Sequence, residues 1–401
     1  MKFKGFILAI LILSATASFA QKKLSTGIWR GTLQIPAGEL PFNFTVKDTA
    51  GHQQIAIING NERFRVNEIA VKDDSVLIQM PLFDSEFRLK FEGANLKGNW
   101  IRHLGERDVF IPFEAVPGVS YRFKDVQPTK YTVAGRWSAI IGVDQPDTTV
   151  AEFQQTGNKV TGTFLTTTGD YRYLEGSVSG DKLSLSCFDG GHAFLFTATL
   201  KDENTLVDGL FGKNPWHAKR DDDAKLPDAY SLTFLKPGFK KLDFSFPDLD
   251  GNKVSLNDPR FKNKVVIVEI MGSWCPNCMD QTAYLVKYYK KYHKKGVEVV
   301  DLAYERTADF NKSKASLLRE KNHFNVPYPM LITGYTSNPK EVAKSLPAMA
   351  NFFSFPTTLI IDKKGDVRKI YTGFSGPGTG YYYTDFVSQF EKLTDDLLSE
   401  K

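Results

Sequence analysis

The sequence of 401 residues predicts a multidomain chain: two tandem antiparallel β meanders, each rolled into a small barrel or sandwich, followed by an α/β domain. Three observations predict it. From Ile28 to about Arg220 short alternating apolar and polar runs are separated by turn residues, and no stretch sustains a helical period. Within that region "FRVNEIAVKDDSVLIQM" (Phe64–Met80) matches "YRYLEGSVSGDKLSLSC" (Tyr171–Cys187) at an offset of 107 positions. After Phe244 the pattern changes to strands alternating with helices.

Residues 1–20 stand apart. Lys2 and Lys4 precede the apolar "FILAILIL", and Ser18 and Ala20 occupy positions −3 and −1 of a cut before Gln21. This is the layout of a secretory signal peptide, with an apolar run short for a membrane span; the other outcome is an uncleaved N-terminal anchor. We expect a bacterial envelope, periplasmic location, which permits disulfide chemistry, and no stable membrane span after cleavage. Loss of two lysines lowers the formal charge from +5 to +3, spread along the chain. A solvated surface explains that charge better than a nucleic-acid footprint.

The first β repeat is expected over residues 21–118 and the second over 119–225. "GIWRGTLQI", "PFNFTVK", "QQIAII", "DSVLIQM" and "EFRLKFEG" are half-buried antiparallel strands by their alternation. "GIW" (Gly27–Trp29) and "GRW" (Gly135–Trp137) open the two copies, and Trp100 and Trp216 fall near their ends. Copies of roughly 90 to 100 residues are small domains, too long for solenoid units. Pairing of opposite edges would hide unpaired strand groups. The G-x-W opening resembles lipocalin-like barrels by one dipeptide per copy, so the β module could bind an apolar ligand or position the next domain. Cys187 aligns with Met80 on the apolar face and reads as a core thiol.

Residues 218–243 mix charges with two prolines and a glycine, and we expect a linker over 226–243. The α/β domain then runs over 244–401. "FSFPDLDGNKVSL" suggests a hairpin turning at Asp250-Gly251, and "KVVIVEIM" a strand covered on both faces. A helix is expected from Cys275 to about Lys295, stopped by Gly296. The strand "VEVVDLAY", a helical region about 308–321 and a short one near "KEVAKSL" follow. "TTLIID" and "VRKIYTG" form a hairpin, and a helix over about Thr384–Leu398 ends the domain.

Two of the three cysteines lie in "SWCPNC", Ser273–Cys278. Zinc would need clustered pairs of ligands, and one C-x-x-C with a distant Cys187 and six scattered histidines does not supply them. As a staple the pair would close a loop too short to remove much chain entropy. A redox role explains more. Cys275 stands where a strand gives way to a helix, so free N–H groups and the helix dipole favour its thiolate. Pro276 suits the first turn, Cys278 is within reach to resolve a mixed disulfide, and Trp274 would roof the site.

"VVIVEIMGSWCPNC" looks like the active-site strand and turn of thioredoxin-fold proteins. Residues 244–401 resemble the envelope-located TlpA-like (ResA-like) thiol–disulfide oxidoreductases through "FPDLDG", the W-C-x-x-C turn and "FPTTLIIDKKGDV". The resemblance implies a thioredoxin-like domain in which Pro356 is cis and faces the cysteines, Phe355 pairs with a substrate peptide, and Thr357 adjoins it. It extends over about two-fifths of the chain and is silent on the β repeats. Many TlpA-like proteins carry an acid three positions after the second cysteine, where Gln281 stands here. Glu269, six residues before Cys275, stands where thioredoxins place a buried aspartate. It interrupts an apolar strand, where burial would raise its pKa and suit it to relay protons for Cys278. The other outcomes are escape to solvent or pairing with a lysine.

The expected function is thiol–disulfide exchange with envelope proteins, as a reductase by the resemblance. Cys275, Cys278 and Glu269 are the catalytic candidates, and Trp274, Pro276, Phe355, Pro356 and Thr357 the substrate-binding ones. Expected partners are disulfide- or dithiol-bearing envelope proteins and an upstream electron donor; no cofactor, metal or nucleic acid is called for. The alternative is a ligand-binding or scaffolding envelope protein in which the β module is primary. A peroxiredoxin fits less well, because Ser273-Trp274 precede a C-x-x-C rather than a single cysteine with an upstream threonine.

Overall fold

The structure, a computed structural model, describes residues 22–104, 107–124, 127–143 and 147–400. The leader expected over residues 1–20 lies outside the described residues. Among those described, no helix is long and apolar enough to cross a membrane.

The N-terminal region is β-rich, with two barrel-like sheets. Nine antiparallel strands between Gly27 and Pro117 make the first. Its first strand, Gly27–Ile35, pairs with Gly38–Thr49 on one side and with the last strand, Asp108–Pro117, on the other. The sheet thus curls until its chain ends meet. Its edges are Glu62–Val66 and Glu68–Lys72, which are not laddered to each other, so edge pairing does not close this wall. Alternation points Trp29, Leu33, Phe42, Phe44, Phe87 and Trp100 inward, where they are buried. A pocket of about 20 Å³ lies among Phe42, Phe44, Phe87 and Phe113.

The second sheet runs from Gly135 to Arg220. Gly135–Ile141 pairs with Asn214–Arg220 and with Asp147–Thr156, and the latter pairs with Lys159–Thr166, which closes the ring. The indole of Trp29 donates to Ser25 O and that of Trp137 to Val133 O, each at 2.8 Å. Cys187 is buried among Phe196, Leu185 and Trp216, and burial pushes its thiol well up. The two sheets share packing. Phe188 of the second enters the core of the first, 4.5 Å from Phe42 between ring centroids.

Ala218–Arg220 complete a strand of the second sheet. The residues beyond lie along the C-terminal domain: Thr372 N donates to Ala229 O, and Phe234–Leu235 pairs with Met349–Ala350.

In the C-terminal domain β1 (Val265–Met271), β2 (Val297–Glu305) and β3 (Met330–Thr336) are parallel, and β4 (Thr357–Ile361) and β5 (Val367–Thr372) run antiparallel, in the order β3-β2-β1-β4-β5. β3 is the strand absent from the sequence reading. The helices are α1 (Pro276–Tyr292), α2 (Phe310–Phe324), α3 (Pro339–Ser345) and α4 (Tyr381–Ser399). Val265, Ile267 and Met271 face α1, α2 and α4, while Val266, Val268 and Ile270 face α3 and the Phe244–Val254 segment. Every residue of β1 and β2 is buried, which is why both read as continuous apolar runs broken only by acids.

Candidate active site

The turn between β1 and α1 holds the cysteines. Cys275 caps α1 with extended backbone, Pro276 is the first helical residue, and the Cys278 N–H donates to Cys275 Sγ at 3.3 Å. One orphan amide of the helix start is thereby aimed at the sulfur, and the positive end of the dipole lies beneath it. Glu305, at the end of β2, holds the turn from below, accepting from Ser273 N and Ser273 Oγ at 2.8 Å each. Trp274 is fixed by its indole, which donates to Tyr304 O at 2.9 Å, and its ring meets Phe355 edge-on at 5.3 Å. A Cβ on Gly272 would stand 2.2 Å from Trp274 Nε1, so any larger residue there would displace the indole.

The loop before β4 forms the opposite wall. The Phe355–Pro356 peptide is cis, and Cys275 Sγ donates to Phe355 O at 3.6 Å. Thr357 is fully buried, its hydroxyl donating to Ser354 O at 2.8 Å. Pro356 O accepts from Gly373 N at 2.8 Å, which brings the glycine-rich loop after β5 to the site's border. Gln281 is buried on α1 and donates to Thr358 Oγ1.

The cysteines differ in setting. Cys275 is 4% exposed and Cys278 not at all. Burial first, then the hydrogen-bonded Cys275 sulfur and the Glu269 carboxyl, hold the Cys278 thiol protonated far above its ordinary range. Glu269 is fully buried on β1 and neither oxygen has a hydrogen-bond partner. It neither reaches solvent nor pairs with a lysine. Burial, then Asp301, Glu320 and Cys275, push it well up. Asp301 and Glu320 were not singled out from the sequence, although Asp301 carried the same signal as Glu269, an acid inside an apolar strand.

The second β sheet reaches this site. Asn277, between the cysteines, holds the Asp170 backbone with both ends of its amide, at 3.3 and 3.1 Å. Ser354 Oγ donates to Thr168 O at 3.4 Å, and Asp170 Oδ2 accepts from Gly376 N at 2.7 Å. Arg172, buried and left-handed (φ 57°), binds Asp280 of α1 at 2.7 Å, Glu62 of the first sheet at 2.6 Å and Asp189 at 3.4 Å. It also donates to Pro276 O at 3.4 Å. On the Trp274 side a cleft of about 280 Å³ remains, lined by Leu82, Phe83, Arg306, Lys312 and Arg319 among others. Among the described residues no cluster of three or more His, Cys, Asp or Glu could hold a metal ion.

Residues 236–383 match the Redoxin family model. They form a redoxin domain. The domain is that of a thioredoxin-like oxidoreductase. Among similar proteins, "Thiol-disulfide oxidoreductase ResA" of Geobacillus kaustophilus is 29% identical over 141 residues, 35% of this chain and 72% of the relative. "Thioredoxin-like protein YneN" of Bacillus subtilis is 29% identical over 139 residues, 35% of this chain and 73% of the relative. The thioredoxin domain of a thiol-disulfide oxidoreductase from Bacteroides vulgatus is a structural neighbour with 23% identity and a TM-score of 0.30, over 39% of this chain and 99% of that one.

Proposed function

We propose that this protein is a thiol–disulfide oxidoreductase of the bacterial cell envelope, exchanging with partner proteins through Cys275 and Cys278 and working as a reductase. The observation that carries the reading is the placement of Cys275 Sγ: under the Cys278 amide, at the mouth of α1, and 3.6 Å from the Phe355 carbonyl beside cis Pro356. In this reading the Cys275 thiolate attacks a disulfide sulfur of the client and expels one client thiolate, leaving a mixed disulfide. Cys278 loses its proton to Glu269 and attacks the Cys275 sulfur. The second client thiolate leaves, the Cys275–Cys278 disulfide forms, and two electrons have passed to the client. An upstream dithiol donor returns the pair to the reduced state. Trp274 and Pro276 shape one wall for the client and Phe355, Pro356 and Thr357 the other.

The chain divides, in this reading, into a leader (1–20), two copies of a β meander (21–118 and 119–225), a linker (226–243) and the redox domain (244–401). The leader supports the envelope location. The β units serve as scaffold rather than as primary ligand-binding modules. The apolar pocket among Phe42, Phe44, Phe87 and Phe113 of the first, about 20 Å³, is far below the roughly 300 Å³ a small-molecule site needs.

Replacing Cys275 with Ser tests the assignment, with loss of all dithiol turnover expected and unchanged turnover overturning it. Equilibration of the cysteine pair in glutathione buffers tests the direction. About 30 mV shifts a two-electron couple tenfold, so a potential near those of strong oxidants would reverse the proposed electron flow.

A further inference from the structure

We infer that Glu269 and Asp301 work as one unit, two carboxyls holding a single proton, and that Asp301 is the positioning residue that lets Glu269 accept the proton of Cys278. The inference rests on the exchange chemistry proposed above and adds to it a residue and a reason.

The placement follows from strand register. β1 and β2 are parallel neighbours in which Glu269 stands directly beside Asp301. Side chains alternate along a strand, and Val265, Ile267 and Met271 of β1 share a core with Val297, Val299 and Ala303 of β2. Glu269 and Asp301 share the parity of those residues. Both acids therefore project to the face that carries α1 and the cysteines, which belong to that same core.

Their surroundings leave them little but each other. Both are fully buried, and none of their four carboxylate oxygens has another hydrogen-bond partner. Glu320 reaches the same pocket from α2; its Oε1 accepts from Thr282 Oγ1 at 2.9 Å and its Oε2 has no partner. The buried Tyr328 hydroxyl, from the segment between α2 and β3, is also unpartnered. The titratable groups facing the pair are thus Cys275 and Cys278 from α1, Glu320 from α2 and Tyr328, with Glu305 farther along β2. Among the described residues no cation is ion-paired with Glu269, Asp301 or Glu320.

Two carboxylates in adjacent register in a dry pocket cannot both carry charge. A lone buried carboxyl would stay neutral through the physiological range and could accept nothing. A pair behaves differently, because the first ionisation leaves a carboxylate that accepts an O–H from its neutral neighbour. The pair thus holds one negative charge and one proton, and keeps one place for a second proton. The step then balances: the Cys278 thiol gives its proton to the singly charged pair, leaving a thiolate and a neutral pair. The thiolate attacks the mixed disulfide. When the internal disulfide is later reduced, Cys278 departs as a thiolate and takes a proton back from the pair.

The test compares full-length wild type with Asp301→Asn, Glu269→Gln and the double variant. The rate of oxidation of the reduced cysteine pair by excess oxidised glutathione, in which Cys278 must give up its proton to resolve the mixed disulfide, is followed across pH 5 to 9. The expected result is a wild-type profile with an ionisation that Asp301→Asn displaces upward, with a rate loss of about tenfold or more at neutral pH. The double variant should be no slower than Glu269→Gln alone, since the two act as one unit. A merely structural Asp301 would lower the unfolding midpoint and leave the shape of the profile unchanged. Should the Asn variant fail to fold, infrared spectra of the wild type decide: a protonated-carboxyl band at neutral pH that Glu269→Gln diminishes is expected, and its absence overturns the pair. A profile altered by Glu269→Gln but not by Asp301→Asn removes Asp301 and leaves the Glu269 role intact. A profile altered by neither removes both, while retention of exchange by Cys275→Ser would remove the proposed function itself.

Discussion

Cys275 and Cys278 sit one helical turn apart, yet one caps the helix and the other is sealed inside it. That difference predicts unequal variants. Cys278→Ser should accumulate a mixed disulfide between Cys275 and a client, visible as a reducible higher-mass band on a gel, whereas Cys275→Ser should give none. Two residues farther along α1, Asp280 carries a second titration. Burial pushes its carboxyl up to about 7, against the pull of Arg172 and with the help of Asp170 and Glu62. Its ordinary value is 3.8. The unfolded chain therefore releases this proton first, and Asp280 lowers stability progressively as pH rises from about 4 to about 7. Urea midpoints at pH 5 and pH 8 should differ more in the wild type than in Asp280→Asn. An equal difference in both would show that Asp280 stays charged throughout.

The β1–turn–α1 element and the loop after β5 are built around close approaches that only glycine allows. Gly373 has φ 77°, and a Cβ there would lie 2.8 Å from the Thr168 carbonyl carbon and 2.9 Å from Thr167 O. Gly373→Ala should cost about 1–3 kcal/mol through left-handed strain and the displaced loop, read as a lower urea midpoint. It should also quicken alkylation of Cys275 by loosening the loop that Gly373 N ties to Pro356 O. Most elements of this domain could be read from the chain because their signals are local. The apolar run of β1, Pro276 at the helix start and the Phe-Pro-Thr-Thr segment each declare themselves within a few residues. β3 did not. Its apolar stretch, Met330 to Ile332, is short and is followed at once by Thr333 and by Gly334, which has φ 73°, so only pairing with β2 marks it as a strand. The composition of 226–243 likewise gave no sign that Phe234–Leu235 would pair with Met349–Ala350.

At the scale of the whole molecule Arg172 joins three parts of the chain. Its guanidinium meets Glu62 and Asp189 from the β sheets and Asp280 from α1. Arg172→Met would leave the buried Asp189 and the partly buried Glu62 and Asp280 without their shared guanidinium, a loss of about 3–5 kcal/mol. The expected outcome is lower stability and a single thermal transition that splits in two as the β units uncouple from the redox domain. An unsplit transition at the wild-type midpoint would assign the coupling to the apolar contacts instead. The sequence by itself determined the β-rich N-terminal region, the α/β C-terminal one and the cysteine pair at a helix start, because alternation, helical period and capping act between near neighbours. Only the tertiary structure decided that Asp301 stands beside Glu269, that Arg172 reaches Asp280 across 108 positions, and that Phe188 fills the neighbouring sheet's core. Those facts depend on strand register and on how finished units dock, and no short window of the chain contains either.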